Sequence, residues 1–509
     1  MRNIIKPFST SSSPSYVQNH ISWSLVQTII GIGSLIVLAP LFFCVSTNQC
    51  IYHQKMALLH HDQVHDYNGD KQSKVTSSPP LSSILRPFNG ASSDHYYYPL
   101  NLIKKNQQTG DYYDEKLKKI ESELGSVRVF LKEIAAVSIH QNSSTTHEDI
   151  NSGDGPDYYI PNGQIYRNPY LFHRSYQLME KMFKIFVYEE GEPPLFHDGP
   201  CKNIYSTEGM FINTLEMDAK FRTRDPDEAH VFFLPFSVVK ILTYLFHPKV
   251  RDKAVLGRTI GDYIRIISQK YPYWNRTLGA DHFMLSCHDW GPRATWYVPQ
   301  LYYNSIRVLC NANTSEYFNP KKDASFPEIN IRTDSITGLL GGPPPSERTI
   351  LAFFAGGIHG FLRRPLLKHW KEKDEDLRIY EKLPENISYE EMMHKSKYCI
   401  CPSGYEVASP RIVEAIYAEC VPVLISQHYI LPFSDVLNWT SFSVQISVSE
   451  IPNLKRILMD IPYDRYVRMQ ERVKQVQRHF VMNDPPKRYD VFHMIVHSVW
   501  LRRLNAQML

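Results

Sequence analysis

Cysteine is scarce in this chain: eight in 509 residues, too few for a small scaffold held by disulfides. An excess of one charge is missing as well. Fifty-six basic residues stand against fifty-two acidic ones, a formal net charge of +4. So even a balance argues against a broad basic face for nucleic acid. Most telling is a local absence. Between Lys6 and Lys55 there is no Lys, Arg, Asp or Glu, and no comparable uncharged run recurs. What the chain does have is a 43% hydrophobic and 13% aromatic content, which excludes wholesale disorder and supports packed domains. Its length suggests about three units.

Inside the uncharged gap, SLVQTIIGIGSLIVLAPLFFCV (24–45) is long enough to span a bilayer, which takes about 20 mainly apolar residues. A cleaved signal peptide would have a shorter apolar run ending in small residues. This run ends in Phe42, Phe43 and Cys44, so an uncleaved signal-anchor is expected. Arg2 and Lys6 precede it, and the positive-inside rule leaves 1–23 as a cytoplasmic tail. Everything beyond is then luminal, where thiols oxidise and Cys201, Cys287, Cys310, Cys399, Cys401 and Cys420 have partners to choose among.

Residues 46–165 read as a polar stem. Within it Leu117, Ile120, Leu124, Val127, Leu131 and Ile134 recur at spacings of three and four, a helical stripe over 115–136. Two readings are open: a short coiled coil that pairs two chains, or one amphipathic helix lying on the globular part. Beyond the stem, short apolar runs alternate with helical patterns. KIFVY (184–188), VFFLPF (231–236) and HFMLS (282–286) form one series; TILAFFAG (349–356), YCICP (398–402) and VPVLI (421–425) form another. GGPPPSER (341–348) separates them. The pattern predicts two α/β domains, 170–340 and 349–509, with parallel sheets facing a cleft.

In such sheets ligands sit beyond the carboxyl ends of strands. After YCIC the chain turns at Ser403 and Gly404, and Ser409-Pro410 has the form of a helix N-cap with proline following. Arg411 suits phosphate oxygens, and Glu414 suits ribose hydroxyls. After LAFFAG a glycine-rich loop leads to Arg363 and Arg364. Two such loops after two strands of one domain predict a nucleotide-diphosphate site.

At these residues the sequence resembles the exostosin family, glycosyltransferase family 47. The resemblance rests on KSKYCICPSGYEVASPRIVEAIYAECVPVLISQHYILPFSDVLNW, and continues in RDPDEAHVFFLPF, YPYWNRTLGADHFMLSCHDWGP, FPEINIRT and ILAFFAGGIHGFLRR. It covers about Phe183 to Trp500, with wording most like plant members. One departure is Glu419, where many relatives have glycine. The resemblance implies a two-domain GT-B enzyme, anchored in the Golgi membrane as a single-pass type II protein. Such an enzyme would transfer sugar with inversion from a nucleotide sugar, a UDP-sugar above all, to a polysaccharide of the cell wall or a glycoprotein glycan. A non-catalytic Golgi partner that keeps the fold is the alternative.

Inversion needs a base for the acceptor hydroxyl and positive charge for the departing diphosphate. Arg363, Ser403, Gly404, Ser409, Arg411 and Glu414 are the donor-side candidates. On the acceptor side the base candidates are Asp289 and His288 in CHDWGP, with Glu208 third. Asp225-Pro226-Asp227 has the spelling of a metal-binding Asp-x-Asp, but reads as a helix start before a strand, at the wrong sheet edge. Asp374-Glu375-Asp376 reads as a solvated charge run. No metal and no resident cofactor are therefore expected. Sequons stand at Asn142, Asn275, Asn313, Asn386 and Asn438. Of these Asn142, in the stem, is the most open acceptor, while Asn275 lies inside a motif that could pack it.

Overall fold

The computed structural model describes residues 107–141, 159–332 and 339–506, all within one compact unit. The apolar run 24–45, most of the stem and Asn142 lie outside these residues. Among the described residues no helix is long and apolar enough to cross a membrane.

The first half holds a six-stranded sheet. Its strands are β1 (Ile185–Val187), β2 (Arg222–Thr223), β3 (Val231–Phe233), β4 (His282–Ser286), β5 (Ile306–Leu309) and β6 (Ala324–Ser325), in the order β2-β1-β3-β4-β5-β6. All neighbours run parallel. The second half holds β7 (Ile350–Ala355), β8 (Leu377–Tyr380), β9 (Ser396–Pro402), β10 (Val421–Ile425) and β11 (Val444–Gln445), also parallel, in the order β11-β10-β9-β7-β8. Central strands such as β4 and β10 are buried along their whole length, as expected of parallel strands covered on both faces. Helices α3 (Ser206–Met217) and α4 (Ala254–Lys270) accompany the first sheet. The second carries α5 (Arg363–Trp370), α6 (Arg411–Tyr417) and α7 (Tyr463–Val476).

The helical stripe resolves in favour of the second reading. It forms α1 (Gln107–Gln141), and Leu117, Ile120, Leu124 and Val127 are buried. They pack toward α2 (Pro169–Met182) and the last helix, α8 (Val491–Asn505). Arg128 donates to the carbonyls of Leu504 at 2.6 Å and Ala506 at 2.9 Å, and Glu121 pairs with Arg503. Burial of each such side chain is worth about 1.5–3 kcal/mol, which the body of the protein already claims. The stripe is covered here and does not present a coiled-coil seam.

Two boundaries also shift. α8 belongs by sequence to the second half, yet it packs against β5, β6 and α2. Arg502 donates to Asp323 O at 2.6 Å, and Arg503 to His230 O at 2.8 Å. A helix buried on nearly every side must be enclosed by both halves. The segment 341–348 is no loose linker either. Buried Arg348 donates to the carbonyls of Ser396 at 2.9 Å and Ala418 at 2.7 Å.

Candidate functional site

The carboxyl ends of the two sheets face each other, and the loops after β4, β5, β7 and β9 meet there. On the first half, a disulfide joins Cys287 to Cys310, tying the end of β4 to the end of β5. The next residues of the first loop are His288 and Asp289. Asp289 accepts from the Tyr205 hydroxyl at 3.3 Å and from Asn311 Nδ2 at 3.5 Å. Asn311 also accepts from Ala408 N–H at 3.1 Å, so one amide side chain links the acceptor-side loop to the donor-side loop.

His288 is placed beside Asp289 but not as a base. Its Nδ1 accepts from Trp290 N–H at 3.0 Å, which leaves the proton on Nε2 of a neutral ring. Burial also lowers its pKa, against the opposing charge of Asp289. Glu208 is corrected more firmly. It is fully buried and accepts from Ser237 Oγ at 2.5 Å, Cys287 N–H at 2.8 Å, Ser286 Oγ at 3.1 Å and Val239 N–H at 3.4 Å. Burial raises its pKa while these bonds pull it down. A carboxyl with no exposed surface and four donors braces the loops; it cannot reach a substrate hydroxyl.

The donor-side loops converge on two arginines. Arg411, the first residue of α6, donates to Ala355 O at 2.8 Å and to the Tyr389 hydroxyl at 3.2 Å. Its guanidinium lies 4.7 Å from the Phe354 ring centroid. Tyr389 in turn donates to Glu414 at 2.9 Å. Arg363 makes only a long bond to Gly357 O, 3.4 Å, and its Nε is buried without a partner. Burial first, then the neighbouring Arg411, brings its pKa down to about 10. Two cations side by side without a carboxylate between them form an anion-sized arrangement.

Glycine permits this crowding. A Cβ on Gly356 would lie 3.0 Å from Arg411 Nη2, and one on Gly404 would lie 3.2 Å from Arg363 Nη2. Gly360, at φ +72°, brings its turn so close to Gly404 that a Cβ would sit 2.0 Å from that carbonyl. Ser403 is used internally, donating to Ser426 Oγ at 2.7 Å or Val407 O at 3.1 Å. Ser409 is not a side-chain cap: Pro410 already has helical dihedrals and occupies the cap position, with no side-chain bond. Ser409 contributes its carbonyl, to Ile412 N–H at 3.2 Å. Behind Glu414 opens a cavity of about 210 Å³ lined by Asn330, Tyr389, Met393, Val413 and Tyr417. Asn330 donates to Glu414 at 3.2 Å.

Several cleft residues carried no clear sequence signal. Tyr389 joins Arg411 to Glu414 from a distant helix. Asn311 follows a strand, β5, that its central Arg307 disguises. Glu328 lies in FPEINIRT and Glu406 in the loop after β9. Burial, with Asp289 next, raises Glu328 well above the carboxyl range, and burial raises Glu406 to about 8. Glu328 is 7% exposed.

The metal-like spellings lie elsewhere. Asp225 accepts from Asp227 N–H at 2.9 Å and Asp227 from the Tyr273 hydroxyl at 3.0 Å, at the amino edge of β3. Asp374 and Asp376 pair with Lys455 at 2.7 and 2.9 Å. Among the sequons, Asn275 Nδ2 donates to Ser268 O at 2.7 Å and Asn313 is buried as the cap of a short turn. Asn438 Nδ2 donates to Gln164 O at 3.2 Å. Asn386 is exposed.

The exostosin GT47 domain matches residues 179–461. A probable glycosyltransferase of Arabidopsis thaliana is 63% identical over 80% of this chain and 85% of its own length. A second from the same plant is 63% identical over 70% and 68%. A probable beta-1,4-xylosyltransferase of Arabidopsis thaliana is 27% identical over 62% of this chain and 81% of its own. A matching domain over more than half of the sequence, with relatives this similar along most of both chains, means that this chain belongs to the exostosin GT47 family and is a glycosyltransferase.

Proposed function

We propose that the chain is a GT-B-type, inverting glycosyltransferase of the Golgi membrane. It moves a sugar from a UDP-sugar to a growing polysaccharide, a cell-wall glycan above all, without an essential metal or resident cofactor. The observation that carries this reading is the pair Arg363 and Arg411, crowded against Gly356 and Gly404 and opposite Asp289. Supporting the membrane placement are the uncharged run 24–45 and the exposed sequon Asn386.

The donor diphosphate lies on Arg363 and Arg411, with the ribose toward Glu414 and the base toward the cavity behind it. Asp289 accepts the proton of the acceptor hydroxyl as that oxygen forms its bond to the anomeric carbon. The bond from that carbon to the diphosphate oxygen breaks on the opposite face, and UDP leaves with the electron pair, its charge met by the two guanidiniums. Tyr205 and Asn311 hold Asp289 in place.

The test incubates the full-length chain with a panel of UDP- and GDP-sugars, scoring hydrolysis and thermal shift, with and without chelator. A UDP-sugar should stabilise and be hydrolysed, unaffected by chelation, and Arg411→Ala should lose both responses. Failure of every nucleotide sugar to bind would overturn the reading; activity lost to chelator and restored by manganese would overturn its metal-free part.

A further inference from the structure

Between the two arginines and Asp289 lies the space for the transferred sugar, and its lining is acidic. Glu328 is set there by its chain neighbours. Ser206 Oγ donates to Ile329 O at 2.7 Å, Thr207 Oγ1 to Pro327 O at 3.1 Å, and Asn330 Nδ2 to Glu414 at 3.2 Å. Residue 328 is thus bracketed between the start of α3, whose preceding Tyr205 holds Asp289, and the donor-side Glu414. Its carboxyl is more than nine-tenths buried yet has no hydrogen-bond partner among the described residues. Asp289, Glu414 and Glu406 all act on it, with Arg363 opposing them. Glu406 in turn feels Glu316 and Asp289. A buried carboxyl left without a protein partner normally has a polar partner from outside the chain. Here the space it faces is the one a sugar ring would fill, and sugar hydroxyls both donate and accept.

Resting on the nucleotide-sugar reading above, we propose that this cleft takes a neutral donor sugar, a pentose or hexose read through its hydroxyls by Glu328, and rejects a uronic acid. A diphosphate engages Arg363 and Arg411 and leaves neither to receive a second anion. A sugar carboxylate would then enter a desolvated space already crowded by Asp289, Glu316, Glu328, Glu406 and Glu414, where like charges are costly. Hydroxyl and hydroxymethyl groups meet no such penalty.

The experiment compares donors that share ring stereochemistry and differ at C5: UDP-glucose and UDP-xylose against UDP-glucuronate, and UDP-galactose against UDP-galacturonate, with UDP alone as reference. Binding to the full-length chain is followed by titration calorimetry or thermal shift. At least one neutral donor should bind tenfold or more tighter than its uronic partner. Glu328→Gln should narrow that gap several-fold while UDP binds as before. A uronic donor bound as tightly as, or tighter than, its neutral partner, with UDP bound normally, would overturn this inference and leave the nucleotide site standing. UDP that does not bind at all would remove both. Should Glu328→Gln fail to fold, the wild-type donor pairs still decide.

Discussion

The two edges of the cleft are built on opposite plans. The first half ends its strands in carboxylates held by neutral donors, as Asp289 is by Tyr205 and Asn311. The second ends its strands in glycines and guanidiniums, with Arg363 and Arg411 packed without an intervening carboxylate. One edge suits proton removal and sugar hydroxyls, the other a departing diphosphate. Each is unfavourable by itself, with like charges crowded in partial burial. The difference teaches that this protein keeps its opposite charges on opposite walls, where a substrate must come between them.

The largest expected effect breaks the acidic wall. Asp289→Asn should lower kcat by about 10²–10⁴-fold while leaving UDP affinity unchanged in calorimetry; unchanged kcat would move the base elsewhere. Next comes the brace beneath that wall. Glu208→Ala strips four donors of their acceptor and should cost about 3 kcal/mol in urea unfolding, with Glu208→Gln costing less. A loss below about 1 kcal/mol would mean the donors find other partners.

On the basic wall the two arginines should separate. Arg363→Ala should reduce kcat/KM by roughly 10–100-fold, the worth of a charged hydrogen bond to phosphate. It should not lower thermal stability, since Arg363 makes one long internal bond. Arg411→Ala should lose donor binding and stability together, because Ala355 and Tyr389 also depend on it. Equal behaviour of the two would erase the distinction.

pH sharpens the comparison between the cleft and the buried junction behind it. Glu406 is raised from 4.5 to about 8, so the folded state holds its proton more tightly than the unfolded chain. That contribution to stability is lost as pH rises through this window, and Glu406→Gln should flatten the slope. At the junction, burial lowers His230 to about 4 and His479 and His497 to about 3, from 6.5. Their neutral forms are favoured in the fold, so stability falls as pH drops below 6.5. Melting temperature measured across pH should therefore decline on both sides, with Glu406→Gln relieving only the alkaline one. The smallest effect is expected at Glu419. It sits at φ 53° in the left-handed position after α6, with Cys420 N–H bonded to Ala415 O at 2.9 Å and Glu419 N–H to Ile416 O at 3.1 Å. Glycine is the usual occupant there. Glu419→Gly should stabilise by a few tenths of a kcal/mol, the relief of backbone strain partly offset by the lost bond from Gln470. Destabilisation beyond about 1 kcal/mol would show that the Gln470 bond dominates.

Much of this was legible in sequence. The six apolar runs all contain strands, because a buried parallel strand needs an uninterrupted apolar stretch. The strands β5 and β8 escaped because Arg307 and Arg378 break that pattern. Arg307 is satisfied by Asp323 at 2.5 Å, a partner supplied by the tertiary fold, and Arg378 points outward from an edge strand. Glycine and arginine after β7 and β9 pointed to the donor wall, since phosphate recognition uses few residue types in short loops. The acidic wall was less visible. Carboxylates serve in caps, braces and surfaces alike, so Glu208 and Asp289 looked equivalent until burial distinguished them.

The order of motifs determined the two-sheet architecture and the family, because periodicity and short loops are local properties of the chain. The fold alone decided which side α1 covers, that α8 returns to the first sheet, and which carboxyls meet across the cleft. Those outcomes depend on contacts between residues hundreds of positions apart, such as Arg128 with Leu504 and Asn311 with Ala408. The energy of a buried charge or hydrogen bond is set by what surrounds it, and only the folded chain supplies the surroundings.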